Sequence, residues 1–178
     1  MKVWRDGREL ASLEAVALSL KTGVLTGREV HLRTREGELF ASFLEFDLRS
    51  SAASASGHVN AQREGWTFSG SAVRFRRDGV VLGEAPFELR EGASVHHRGQ
   101  RFEWDPVGAV AVLSQVSSVM VQDGAPLALS ADRVIYRETP RTAEASGHVQ
   151  VDDQPATRAR LVFRPGREGV QVSSLQVE

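Results

Sequence analysis

Cysteine is absent from this chain of 178 residues. That excludes disulfides, thiolate metal centres and cysteine nucleophiles. Lysine is nearly absent: Lys2 and Lys21 are the only lysines among 22 basic residues, and the rest are arginine. An excess of either charge is also lacking. The 22 basic and 23 acidic residues leave a net charge of −1 and a pI near 6.5. Nothing in that balance points to nucleic acid. No apolar run approaches the roughly 20 residues a bilayer-spanning helix requires. Met1 to Gly7 (MKVWRDG) lacks the apolar segment of a secretory leader. Gly-x-Ser-x-Gly elbows and glycine-rich phosphate loops are missing too, which removes the commonest hydrolase and nucleotide signatures.

What is present is a repeat. An eight-residue pattern recurs six times: apolar, any, small, any, any, apolar, any, apolar or aromatic. It reads Leu13-Ala15-Leu18-Leu20, Leu39-Ala41-Leu44-Phe46, Phe68-Gly70-Val73-Phe75, His97-Gly99-Phe102-Trp104, Leu129-Ala131-Val134-Tyr136 and Ala156-Arg158-Leu161-Phe163. The period is roughly 30 residues, and a period of this size sets the architecture. A second segment runs half a period out of step. Ser56-Gly57-His58-Val59 and Ser146-Gly147-His148-Val149 are identical and three periods apart, and Gly27-Arg28-Glu29-Val30 is a looser copy. Phe87 and Val119 fall near the intermediate slots.

Each unit therefore carries two short apolar segments, too brief for a pair of helices. Val59 with Ala61, and Val149 with Val151, alternate with polar residues at the strand period of two. Trp66-Thr67-Phe68 and Val134-Ile135-Tyr136 are rich in aromatic and β-branched residues. Turn signals follow at Thr22-Gly23, Arg49-Ser50-Ser51, Asp78-Gly79, Asp105-Pro106, Thr139-Pro140 and Pro165-Gly166. Six units of two strands predict about twelve or slightly more antiparallel strands in a single all-β domain over residues 1–178, with no helix beyond two turns. Glu9 to Leu20 (ELASLEAVALSL) has the composition of a helix, but it fits the repeat register and is read as a strand. The step of three after the small residue switches faces in a regular strand. A bulge or bend at that small residue would restore one apolar face.

A sheet with one apolar face must cover it, and folding over on itself does so. The predicted interior set is Phe46, Val59, Phe68, Phe75, Phe102, Trp104, Val134, Tyr136, Val149 and Phe163. All would be core residues in any β fold. If the two halves close incompletely, the same residues would line a trough in which an acyl chain gains roughly 0.8 kcal/mol per buried methylene. Arg74-Arg76-Arg77 and Arg158-Arg160-Arg164-Arg167 are read as solvated faces and turns, or as an anion-contacting rim. His58 and His148 fall at equivalent positions on polar strand faces. His96-His97 has no metal-ligand partner at a recognisable spacing. Asp152-Asp153 reads as a turn or as a carboxylate pair with Glu144. No catalytic residues, metal or cofactor are expected.

Residues 129–136 (LSADRVIY), followed by 143–151 (AEASGHVQV), resemble the repeat unit of the OstA-like lipopolysaccharide-transport family, which includes LptA, LptC and the N-terminal domain of LptD. The resemblance is good over 129–151, fair over 39–75 and faint over 80–121. It implies an open β-jelly roll or β-taco. It implies a periplasmic, non-enzymatic carrier or bridge holding the acyl chains of lipopolysaccharide or a related outer-membrane amphiphile in its interior. It further implies edge-strand pairing with other β-jelly-roll transport proteins, or self-association, and a targeting or anchor segment absent from this chain. A structural β-repeat scaffold that self-assembles through its end strands without a ligand is the alternative.

Overall fold

The computed structural model describes residues 2–5, 8–19, 21–33, 37–63, 65–84, 86–166 and 169–178; for 2–16, 18 and 169 only the backbone is described. Among the described residues fifteen strands form one sheet, and no helix occurs. They are β1 (Lys2–Arg5), β2 (Arg8–Ser19), β3 (Val24–Arg33), β4 (Glu38–Asp47), β5 (Ala52–Arg63), β6 (Trp66–Phe75), β7 (Val81–Gly83), β8 (Phe87–Glu91), β9 (Val95–Gly99), β10 (Arg101–Asp105), β11 (Val110–Gln122), β12 (Ala125–Glu138), β13 (Arg141–Val151), β14 (Gln154–Gly166) and β15 (Gly169–Val177). The helix-like composition of β2 is overridden by pairing on both sides, to β1 and β3.

The count of twelve survives in a specific sense. β7 and β8 pair with opposite halves of β6, so together they act as one rung. β9 and β10 do the same against β11. The rungs from β2 to β15 then number twelve, with β1 added at the edge. Pro86, which lacks a backbone N–H, falls in the gap between β7 and β8.

A line of irregularity crosses the sheet at mid-strand. Ser56 pairs with Ala72 and Val59 with Gly70, so Gly57 and His58 together oppose Ser71 alone. Ser146 pairs with Arg158 and Val149 with Ala156, placing Gly147 and His148 opposite Thr157. All four extra-residue positions have positive φ, at 69° and 50° in β5 and 73° and 44° in β13. Glu29 in β3 and Gln115 in β11 share that conformation on the same line. The bulge expected at the small residue thus sits in the Gly-His segment of the neighbouring strand. Ala131 and Val134 are three residues apart and both buried, facing Ala145 and Val149, which are four apart and both buried. The odd step of one strand is matched by the bulge of the next, and the interior face continues past the bend.

The bend divides every rung into two legs. On leg one, an inward ladder runs Leu25, Phe46, Ala53, Phe75, Val81, Trp104, Ala111, Tyr136, Ala143, Leu161 and Leu175, each paired with the next. On leg two the ladder runs Leu32, Leu39, Ala61, Phe68, Leu89, His97, Ser118, Leu129 and Val151. Trp66 on leg two of β6 touches Tyr136 on leg one of β12, with ring centroids 6.1 Å apart. Strands so far apart in the order would be many times 4.8 Å distant in a flat sheet. The sheet is therefore folded over with the ladders inside. The unequal exposure of the two ends of leg one positions the site described next.

Candidate functional site

Six of the ten interior candidates are buried: Val59, Phe102, Val134, Tyr136, Val149 and Phe163. Phe68, Phe75 and Trp104 are half-buried and pack against that core, while Phe46 is half-buried outside it. The ten do not form one cluster. Phe68, Phe87 and Phe102 meet across the legs, with centroids 5.1 Å apart for Phe68–Phe102 and 5.2 Å for Phe87–Phe102. Trp66, Tyr136 and Phe163 form a second group, with Tyr136–Phe163 at 5.6 Å. Phe87, which falls near an intermediate slot of the repeat, was not among the ten candidates, yet it is buried. Val119, expected near an interior slot, points outward and is 49% exposed; its neighbours Ser118 and Met120 are the buried residues. The Leu13–Leu20 copy of the motif lies outside the described side chains.

Tips of the two legs meet along a seam. Arg63 lies over the Trp104 ring at 5.3 Å. Arg141 Nη2 donates to Glu91 Oε1 at 2.9 Å, and Arg164 Nη2 to Asp123 Oδ1 at 3.3 Å. Past the tip of leg one, Val172 of β15 pairs with Gln122, so the β14–β15 hairpin crosses to leg two. Val170 and Val172 are buried beneath it. The C-terminal half of the interior is consequently sealed: Val134, Val149 and Leu161 are at most 2% exposed. The N-terminal end of leg one differs. Leu25, Phe46, Ala53, Phe75 and Val81 are all only half-buried along one continuous ladder.

Three titratable side chains are buried among the described residues. His97, which opens one copy of the motif, turns inward and its Nδ1 lies 2.7 Å from Ser118 Oγ. Burial, with a contribution from the neighbouring His96, holds its imidazole down at about 4. Burial raises the Glu91 carboxyl above the usual range, against the pull of Arg141. Burial likewise pushes the Tyr136 hydroxyl up to about 12. These groups neutralise or pair rather than line up for proton transfer.

The other sequence candidates separate. His96 faces outward, 3.4 Å from Glu88, so the His96-His97 pair is split between two faces. Among the described residues no three His, Cys, Asp or Glu side chains gather to hold a metal. His148, exposed at the bulge, bonds Asp132 at 2.7 Å, which holds its imidazole above the usual range. Asp152 and Asp153 form the β13–β14 turn; Asp152 accepts from the Ala128 N–H. Two concavities of about 530 Å³ each mark the described surface. One lies at the strand breaks, lined by Gly70, Phe87, Gly99 and Gln115 among others. The second lies between the turns carrying Ser50 and Arg76. Neither is lined by the two ladders. No protein-family model matches the chain, and no curated protein matches it.

Proposed function

We propose that this chain is a non-enzymatic carrier or bridge segment for an acylated amphiphile, lipopolysaccharide or a related outer-membrane lipid, acting in the periplasm. The observation that supports this is the half-covered ladder Leu25–Phe46–Ala53–Phe75–Val81, which runs into a sealed apolar interior. Half-covered aromatic and aliphatic side chains in a continuous row offer an acyl chain burial that water does not. Holding and passing a lipid requires no bond to be made or broken, so no catalytic residue is assigned. The OstA-like resemblance of residues 129–151 supplies the lipid class. Pairing with other β-jelly-roll proteins would use the edges at β1 and β15, where the strand order ends.

A photo-crosslinking residue at Phe46 or Phe75, followed by mass spectrometry of the native protein, tests the proposal. A multi-acylated lipid adduct at both positions, and none at the turn residue Asp153, is expected. Absence of any lipid adduct at Phe46 and Phe75 removes the carrier reading.

The sealed C-terminal half favours a second reading, a β scaffold that assembles through its ends. It predicts concentration-dependent oligomers with no lipid adduct.

A further inference from the structure

The turns at the two rims of the folded sheet differ in kind. Leg-one turns hold Lys21, Leu48, Arg49, Arg76, Arg77 and Val107. Leu48 is 54% exposed and Val107 87% exposed, the largest values among the described large apolar side chains. The described leg-two turns hold Gly65, Gly92, Ala93, Asp123, Gly124, Asp152 and Asp153, acidic or small. No large apolar side chain is exposed there among the described residues.

Four leg-one turns are contiguous. Leu48 N–H donates to Gly23 O at 3.0 Å, and Arg49 Nη2 to Lys21 O at 2.9 Å. Ser50 and Ala52 share a concavity with Arg76, Arg77 and Asp78. A Cβ at Gly79 would lie 3.6 Å from the Pro106 ring, beside Val107. The carboxylates beside these four turns are folded back onto them. Asp47 accepts from the Arg49 and Ser50 N–H groups and the Ser50 hydroxyl. Asp105 accepts from the Val107 N–H, and Asp78 from the Val80 N–H and Arg76. Arg77 has no partner among the described residues. Long arginine and lysine stems reach past the short aspartates, so the outermost charge of this rim is positive.

From this the geometry points to a docking surface for an anionic lipid bilayer: Leu48 and Val107 enter the headgroup layer while Lys21, Arg49, Arg76 and Arg77 lie over lipid phosphates. Apolar tips flanked by cations bind a charged interface through both terms, each adding to the other. Guanidinium groups suit phosphate because their planar donors match its oxygens. The surface is separate from the interior. Docking stands or falls on the turn residues, and lipid uptake on Phe46 and Phe75, so either reading can fail alone.

Flotation of the purified chain with phosphatidylcholine vesicles, with and without phosphatidylglycerol, tests this. Expected is flotation with the anionic vesicles, weakened by salt, and little with the neutral ones. Val107→Asp and Leu48→Asp should each lower the partition by roughly tenfold or more, since each exchanges an inserting apolar group for a charge. Arg77→Glu should lower it by more than about fivefold, the effect of losing one cation at the surface. Val162→Asp, on the exposed outer face of β14, should float as wild type. Equal flotation of Val107→Asp and wild type overturns the proposal, as does equal flotation with neutral vesicles. So does a chain that never floats, including one that forms a dimer which Val107→Asp dissolves; that result would make the rim an interface between copies.

Discussion

Glu91 and Arg141 meet across the seam, Oε1 to Nη2 at 2.9 Å, one from the tip of β8 on leg two and the other from the start of β13 on leg one. Glu91 is buried and Arg141 about one-third exposed. With Trp66 against Tyr136, this pair holds the two legs together beyond the reach of any backbone ladder. Except where Val172 pairs with Gln122, side chains close the seam, and this is where the fold is most easily opened.

Removing Arg141 should open it. Arg141→Met leaves a buried carboxylate without its cation, which destabilises by about 3 kcal/mol or more in such pairs. The Glu91→Gln, Arg141→Met double variant should recover much of that loss, because no charge is left buried. Urea midpoints for the wild type and the two variants measure both effects. The sign of the pH dependence follows from the raised Glu91 value. The folded chain holds this proton more tightly than the unfolded chain, so stability falls as pH rises from the ordinary glutamate range through the raised value. Without Arg141 the fall should steepen.

His97 works in the opposite direction. Its imidazole is held at about 4 in the fold, against 6.5 in the unfolded chain. Below 6.5 the unfolded state takes up a proton that the folded state refuses. Stability from this group is complete above 6.5 and is lost as pH falls towards 4, by up to about 3 kcal/mol. His97→Leu should flatten the pH dependence of the thermal midpoint across that window. A variant with the wild-type slope would show that His97 is not the group responsible.

The period made the rung count legible because strand length and turn spacing are local properties. What sits inside the rungs was less so. His97 stands in the apolar slot that opens its copy of the motif, but the Ser118 hydroxyl set against its imidazole becomes visible only through cross-strand pairing. Phe87 and Val119 both fall near intermediate slots of the repeat, and only the pairing shows that Phe87 turns inward and Val119 outward. The bulge is legible as a parity problem, but the motif places it at its small residue, where Gly70 and Gly99 suit a bend. The bend is shared by two adjacent strands, and a single strand's sequence does not say which of them carries the extra residue. The uncovered end of leg one depends on how the legs twist past each other, which no local pattern encodes.

Glycine at the bulge should be hard to replace. At Gly147, φ is +73°, and an added Cβ would lie 2.7 Å from Asp132 Oδ2 and 2.9 Å from Asp132 Cβ. Gly124 has φ +83° but open space around it. Gly124→Ala should cost about 1 kcal/mol from backbone strain alone. Gly147→Ala should cost roughly 1 kcal/mol more, because the clash displaces Asp132 and breaks its bond to His148. Equal chemical-denaturation midpoints for the two variants would show that the contact carries no weight.

The interior ladders should separate core from site by substitution. Val59 and Val149 are 0% and 1% exposed on leg two, directly beside the two bulges. Aspartate at either would bury an unpaired charge, a loss of about 4 kcal/mol or more against a total stability of about 5–15 kcal/mol. Both variants should be largely unfolded by circular dichroism at room temperature, or should melt far below the wild type. Phe46 faces the same interior but is half-buried and outside the packed core. Phe46→Ser should therefore cost only about 1–2 kcal/mol and keep the β spectrum. If the uncovered end of leg one receives the acyl chains, lipid co-purifying with Phe46→Ser should drop sharply while the fold persists. Retention of wild-type lipid by a folded Phe46→Ser would place the chains elsewhere. Wild-type stability of both Val59→Asp and Val149→Asp would overturn the assignment of the interior face itself.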